Sequence, residues 1–436
     1  MKITHATKPL RGEIIVPGDK SISHRSIMFG ALANGDTVVR GFLKSADCIS
    51  TMNCFKAMGI EIEEGSDGEG DFILIHGKGL HGLSKPGSSL DCGNSGTTTR
   101  LISGILAGQD FETVLIGDES LSKRPMKRVI EPLSTLGASI ASMNDDDRLP
   151  LVIGKGELHG GVIRTRVASA QVKSAILLSG LYADGETSVI EPSLSRNHTE
   201  LMLKAFGADI TAGSAEDTRT SVRPGRELKG MTVKVPGDIS SAAFFIGAAL
   251  LIPGSRVMLK NVGINPTRDG ILKVFMDMGA DITVENVRYE TGEKCADILV
   301  NYSPELKGTT IGGDIIPALI DEIPLIAVVA AGAEGDTVIK DASELRVKES
   351  DRISLTVGNL NAMGASAEAR DDGMVIHGGS PLHHAVIDTA KDHRIAMSFS
   401  VAALISESVQ PVDIRDSACV GISYPGFYKD LDSLMG

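Results

Sequence analysis

The residues of this chain that could do chemistry are cations and carboxylates that fall at matching places along it. Lys20 and Arg25 share one stretch, Arg124 precedes Pro125, and Arg196 and Arg268 follow at comparable positions. Lys348 and Arg352 stand four apart, and Arg394 follows His393. Asp321, Glu322 and Glu349 are the carboxylates among them. Any one of these cations alone reads as an ordinary surface charge. As a phased set in an acidic protein they read as a convergent pocket for a small anion, because helix starts favour negative charge. Asp321 is the candidate general base beside bound anions, with helix capping as the plainer explanation of Asp321 and Glu322. Glu349 is either a cap or a proton donor. His24 and His198 have no special spacing and read as structural, and His393 on its own reads as a polar surface group.

Several other chemistries have no signature here. The chain contains no GxSxG, HExxH, EF-hand or GxxxxGK[ST] pattern, so neither covalent nor metal catalysis is indicated. Gly77 to Gly82 matches GxGxxG literally. A dinucleotide loop needs that pattern between a strand and a helix. Here it leads into another strand-like stretch and reads as one copy of a repeat.

That repeat is what must position the chemistry. Leu10-Arg11-Gly12 recurs as Leu80-His81-Gly82, Leu158-His159-Gly160, Leu228-Lys229-Gly230 and Leu306-Lys307-Gly308, with a decayed sixth copy at Leu382-His383-His384. After each comes an apolar strand-like stretch, then a polar cluster, then a helix-like run. The clusters are Lys20-Ser21, Asn94 to Thr97, Ser169-Ala170-Gln171, Ser240-Ser241, Asp321-Glu322 and Asp392-His393-Arg394. Such residues mark helix starts. A second helix is predicted to end at Met58-Gly59, Leu136-Gly137, Phe206-Gly207, Met278-Gly279 or Met363-Gly364, where glycine suits a left-handed residue just past the helix. Pro125 suits the first position of such a helix, and Lys348 and Arg352 suit one helical face. With two closing strands the unit reads βαβαββ. Val16-Pro17-Gly18-Asp19 recurs as Val235-Pro236-Gly237-Asp238. The two copies read as crossings, near 16–21 and 235–240, between two lobes of three units each. One lobe is predicted over 20–237 and the other over 1–19 plus 238–436.

Composition bounds the rest. The chain has 436 residues, a net charge of −13, 42 % hydrophobic residues and no tryptophan. Its acidity argues against a broad nucleic-acid surface, and its length allows two or more domains with sizeable cores. Its five cysteines form no CxxC pair, so a reduced cytoplasmic setting without a metal cage is expected. The N-terminal residues have no apolar signal-like run. The longest apolar stretches, 242–252 and 323–331, are too short to span a bilayer as helices.

Five segments then resemble one family. They are Val16 to Arg25, Gly93 to Thr97, Ser169 to Gln171, Leu345 to Arg352 and Asp392 to Met397. Their order and phase are similar to the motifs of the 5-enolpyruvylshikimate-3-phosphate synthases, enolpyruvyl transferases also called 3-phosphoshikimate 1-carboxyvinyltransferases. The resemblance implies a two-lobed inside-out α/β barrel with three βαβαββ repeats per lobe, whose lobes close over the substrates. It implies transfer of enolpyruvyl from phosphoenolpyruvate to the 5-hydroxyl of shikimate-3-phosphate, in aromatic amino-acid biosynthesis, with phosphate released and no cofactor or metal. Lys20, Ser21, Arg25, Ser169, Ala170, Gln171, Arg196, Asp321 and Lys348 would meet shikimate-3-phosphate. Lys20, Asn94, Gly96, Arg124, Gln171, Arg352, His393 and Arg394 would meet phosphoenolpyruvate. Asp321 would take the hydroxyl proton, and Glu349 or Lys20 would move the C3 proton.

The resemblance also implies a monomer that partners neither membrane nor nucleic acid, and inhibition by glyphosate, since Gly96 leaves it room. Ala170 stands where many members have a second serine, and Ile422 where one branch has a lysine. Ser240 and Arg268 keep the pattern without an implied substrate role. Two rivals remain: the sister transferase for UDP-N-acetylglucosamine, which normally has a loop cysteine near Arg124, and a non-catalytic repeat scaffold.

Overall fold

In each repeat a polar residue heads an apolar run, and that junction starts a helix. Asp19, Ser95, Asp238 and Asp392 each accept a backbone N–H with their side chains, from Ile22, Thr98, Ser240 and Arg394. The helices they open are Lys20–Leu32, Gly96–Leu106, Ile239–Leu251 and His393–Leu404. The other two first helices are Ala170–Gly180 and Ile323–Ala331, and neither has a side-chain cap. The computed structural model describes residues 1–436.

These helices are buried nearly all round, as their lack of a polar face requires. All nine residues of Ile323–Ala331 are buried. Small residues let them approach closely: a Cβ on Gly104 would lie 2.1 Å from the carbonyl oxygen of Ala175. First helices therefore pack on one another, and the sheets lie around them with one face buried, as the alternation in Ser139–Ser142 shows. This is the inside-out α/β arrangement.

Five of the six sheets share one order. Leu90–Asp91 pairs in parallel with Thr113–Ile116, which pairs antiparallel with Leu151–Gly154, which pairs antiparallel with Ser139–Ser142. The same order holds for Gly161–Arg164, Thr187–Ile190, Arg219–Arg223 and Asp209–Thr211. Each of the five second helices is followed by the expected glycine, with φ of +86°, +93°, +99°, +93° and +93° at Gly59, Gly137, Gly207, Gly279 and Gly364.

The chain forms two compact units. One comprises Gly18–Pro236 with Tyr289–Glu293, and the other Met1–Pro17, Gly237–Arg288 and Lys294–Gly436. Each has its own aliphatic core. The leading strand at each crossing does not join the sheet of the helix that follows it. Arg11–Ile14 precedes helix Lys20–Leu32 but pairs with Arg256–Gly263. Thr232–Lys234 precedes helix Ile239–Leu251 but pairs with Ala33–Arg40. The local pattern reads βαβαββ either way, because a strand's partner is not written in its own residues.

Three local expectations are corrected. The sixth repeat has no closing hairpin: after Val412–Ile414 it passes into helix Phe427–Met435, and Lys2–Ile3 supplies the third strand. Pro125 does not start a helix, because Glu119–Ser122 forms a short one and the next begins at Lys127 behind Met126. Lys348 and Arg352 share no helical face, since Lys348 is extended and the helix starts only at Arg352.

Candidate active site

In the unit that begins at Gly18, three helix starts carry the candidate ligands. Lys20 opens helix Lys20–Leu32, and its ammonium pairs with Asp47 in the first turn of Ala46–Ala57. Ser21 lies in the same first turn, and its carbonyl accepts from Arg25 Nη1 at 3.0 Å. Arg25 is buried, and its other bonds go to Thr199 Oγ1 at 2.7 Å and Ser174 Oγ at 2.9 Å. All of these partners are neutral oxygens. Burial pushes the Arg25 pKa down to about 10, against the pull of Glu200, and the like charge of Arg196 adds to the fall. A desolvated cation held by neutral groups is suited to an incoming anion.

Gly96 sits between two guanidiniums. A Cβ there would lie 2.7 Å from Arg100 Nη1 and 3.5 Å from Arg124 Nη1. Arg124 Nη2 donates to Asn94 Oδ1 at 2.6 Å, and Asn94 Nδ2 donates to Asp118 at 2.6 Å. Arg100 Nη1 donates to Gln171 Oε1 at 2.6 Å, and Gln171 Nε2 donates to Thr97 Oγ1 at 2.9 Å. Asn94, Gly96, Arg124 and Gln171 are thus joined through direct neighbours. Arg100 was not expected. Its position four residues after Gly96, one turn up the same helix, was the available signal. Ser169 occupies the cap position of Ala170–Gly180 but makes no capping bond with its side chain; its N–H donates to Glu191 Oε1 at 2.8 Å. Ala170 and Gln171 form the first turn. Arg196 is half-buried two residues ahead of His198–Ala205.

In the unit that begins again at Gly237, the chemistry centres on Asp321. It lies in the tight turn Ile320–Glu322 ahead of helix Ile323–Ala331, and neither Asp321 nor Glu322 caps that helix. Asp321 Oδ1 stands 3.4 Å from Lys348 Nζ and 3.2 Å from Arg352 Nη1, and Oδ2 stands 3.9 Å from Arg394 Nη2. Lys348 and Arg352 therefore meet through a shared carboxylate rather than along a helix. Arg352 is 1 % exposed, and binds Asp392 Oδ2 through Nε at 2.8 Å and Glu349 Oε2 through Nη2 at 2.7 Å. Burial opposes its charge, but Asp392, Glu349 and Asp321 outweigh burial and raise its pKa above the usual arginine value. Burial likewise opposes the charge of Asp392, and Arg352 and His393 together outweigh it to hold that carboxyl below its ordinary range.

His393 is not a surface group: it is 4 % exposed, immediately after the cap Asp392. Arg394 Nη1 donates to the Asp321 carbonyl at 3.3 Å and pairs with Glu322 Oε1 at 3.5 Å. Ser240 Oγ donates to the same Glu322 oxygen. Arg268 is buried, donating to Ser240 Oγ at 2.6 Å and Asp238 Oδ1 at 3.2 Å. This accounts for the charge of Arg268, which braces the residues behind Glu322 and Arg394. Asp392, inside a recognised segment, and Glu322, in a polar cluster expected at most to cap its helix, had no expected part in the site. Ile422 ends the turn Ser417–Ile422 and offers no cation.

The model for the family described as EPSP synthase (3-phosphoshikimate 1-carboxyvinyltransferase) matches residues 4–431. A protein of Brevibacillus brevis named 3-phosphoshikimate 1-carboxyvinyltransferase is 52 % identical over 421 residues, 97 % of this chain and 96 % of that protein. One of the same name from Bacillus velezensis is 52 % identical over 98 % of this chain and 97 % of its own length. A solved structure of EPSP synthase from Acinetobacter baumannii superposes with a TM-score of 0.88 at 46 % identity, covering 99 % of this chain and 97 % of that one.

Proposed function

This chain belongs to the EPSP synthase (3-phosphoshikimate 1-carboxyvinyltransferase) family, and from that premise we propose that it moves enolpyruvyl from phosphoenolpyruvate to the 5-hydroxyl of shikimate-3-phosphate. The observation that carries the site assignment is Asp321, a carboxylate ringed by Lys348, Arg352 and Arg394 at 3.2 to 3.9 Å. Each substrate brings a carboxylate and a phosphate, together about −5 to −6 of charge. Arg352, Arg394 and Arg124 take phosphoenolpyruvate, beside Asn94, Gly96, Gln171 and His393. Ser21, Arg25, Ser169, Ala170, Gln171, Arg196 and Lys348 take shikimate-3-phosphate, and Lys20 touches both.

The substrate anions then replace Asp321 as partners of its cations. That leaves the carboxylate able to accept a proton, which a fully paired one does poorly. The 5-hydroxyl oxygen bonds to C2 of phosphoenolpyruvate as its proton passes to Asp321, while C3 gains a proton from Glu349 or Lys20. Glu349 or Lys20 then takes a proton back from C3 of the tetrahedral adduct, the C2–C3 double bond re-forms as the C2–O bond to phosphate breaks, and phosphate leaves. Lys20, Arg25, Arg124 and Arg196 lie in one unit and Asp321, Glu349, Lys348, Arg352 and Arg394 in the other. Both sets are on one chain, and a monomer suffices. No helix is long and apolar enough to cross a membrane. Glyphosate is expected to compete with phosphoenolpyruvate.

The test is phosphorus NMR of the protein with both substrates. The phosphoenolpyruvate signal should fall only when shikimate-3-phosphate is present, as inorganic phosphate and one new phosphomonoester appear. A phosphoenolpyruvate signal that persists with both substrates would refute the reading.

A further inference from the structure

One buried charge cluster lies outside the ring of residues assigned to substrate. Lys173 is wholly buried in helix Ala170–Gly180, and its ammonium stands 3.0 Å from Glu191 Oε2 and 2.8 Å from Glu200 Oε1. The two carboxylate side chains are 0 % and 1 % exposed. Burial alone would strip the charge from Lys173, but Glu200 and Glu191 outweigh it and raise its pKa. Such a cluster is expensive to desolvate, and an apolar group of the same volume often serves stability as well or better. Stability alone is therefore a poor reason for it.

What Glu191 holds suggests a better one. Its Oε1 accepts the Ser169 N–H at 2.8 Å, and its Oε2 accepts the Ser195 hydroxyl at 2.7 Å. Ser169 begins the run Ser169-Ala170-Gln171, and Ser195 adjoins Arg196. One carboxylate thus pins both segments that carry candidate ligands for shikimate-3-phosphate. Lys173 reinforces this by donating to the Ser195 carbonyl at 3.3 Å. On the far side, Glu200 adjoins Thr199, which takes the Arg25 Nε bond at 2.7 Å.

We infer that Glu191, braced by Lys173 and Glu200, is a positioning residue that sets Ser169 and Arg196 for shikimate-3-phosphate, while Gln171, which also meets phosphoenolpyruvate, is held separately by Arg100 and Thr97. The inference rests on the functional reading above. It touches no reacting atom, so its signature is selective loss of affinity for one substrate.

The experiment is steady-state phosphate release by Glu191→Gln and Ser195→Ala, varying each substrate in turn, with thermal unfolding measured alongside. Glu191→Gln should raise the KM for shikimate-3-phosphate at least about tenfold, the scale of one hydrogen bond to a charged group. The KM for phosphoenolpyruvate should stay within about twofold. Ser195→Ala removes only the hydroxyl bond, keeps the buried ion pair, and should show the same selectivity at smaller size. If Glu191→Gln does not fold, Ser195→Ala decides by itself. Equal rises in both KM values, or a lowered unfolding temperature with both KM values unchanged, would overturn the inference. A native enzyme that releases no phosphate from the two substrates overturns the functional reading first, before any variant is made, and this inference with it.

Discussion

Asp321 and Gly96 show what single residues decide here. A carboxylate just ahead of a helix usually caps it, yet Asp321 turns to Lys348 and Arg352 at 3.4 and 3.2 Å instead. Replacing it with alanine removes the proposed base but leaves every cation that meets a substrate. We expect Asp321→Ala to lower kcat about 10²–10⁴-fold while calorimetry still detects shikimate-3-phosphate binding. A full rate in that variant would remove Asp321 from the mechanism. At Gly96, a methyl group would meet Arg100 Nη1 at 2.7 Å. The end of an arginine can move, so the fold should survive, but Arg100 must then release Gln171. Gly96→Ala should therefore raise the KM for phosphoenolpyruvate and weaken inhibition by glyphosate together. Unchanged inhibition would separate Gly96 from that subsite. Gly96 was legible because it lies in a segment that matches a family motif, whereas Asp321 and Arg124 stood out as charges at repeated helix starts. Arg100 and Lys173 were not, because each follows a motif by a turn of helix. Lys173 still left a trace, the one charged residue in the run 170–180, where a charge must find a buried partner.

At the scale of elements, repeats were readable wherever the signal is local. The glycines after second helices depend on a residue and its near neighbours, and they fell where expected; side-chain caps formed at four of the six first helices and not at Ser169 or Asp321-Glu322. The exchange of leading strands was not readable, since Arg11–Ile14 and Thr232–Lys234 carry no mark of which sheet they join. The segment before Arg352 misled because spacing of four implies one face only if the backbone is helical.

Helix Lys20–Leu32 also makes a pH prediction. His24 is fully buried in it, with Nδ1 on Thr51 Oγ1 at 2.7 Å. Burial first, then the charge of Lys20, pushes its pKa from 6.5 down to about 3. The folded value is depressed, so the unfolded chain binds this proton first. The stabilisation is complete above pH 6.5 and is lost as pH falls toward 3. In that window the group contributes a slope of about 1.4 kcal/mol per pH unit. Denaturant unfolding of His24→Gln should show a pH dependence shallower by that amount below pH 6.5; parallel curves would contradict it. The exposed His76, His159 and His377 have pKa values raised by Asp36, Asp184 and Asp336. Their contribution runs the other way: it is complete below pH 6.5 and fades as pH rises through their raised values.

For the molecule as a whole, the contrast is between a net charge of −13 and cations concentrated at helix starts. Each unit fills its own core, Phe29 against Phe206 at 6.0 Å in one and Phe245 with Tyr424 and Phe427 at 5.8 and 5.7 Å in the other. Those cores use aliphatic and phenyl groups throughout, in a chain with no tryptophan. What the units differ in is the chemistry that their repeats retain. The fourth repeat spends Ser240 and Arg268 on bracing Glu322, and the fifth and sixth bring Asp321 and Arg394 together. The account as a whole predicts one acceptor. Purified protein given phosphoenolpyruvate should release phosphate when shikimate-3-phosphate is added and stay silent with UDP-N-acetylglucosamine; silence with both, or release with the nucleotide sugar alone, would contradict it.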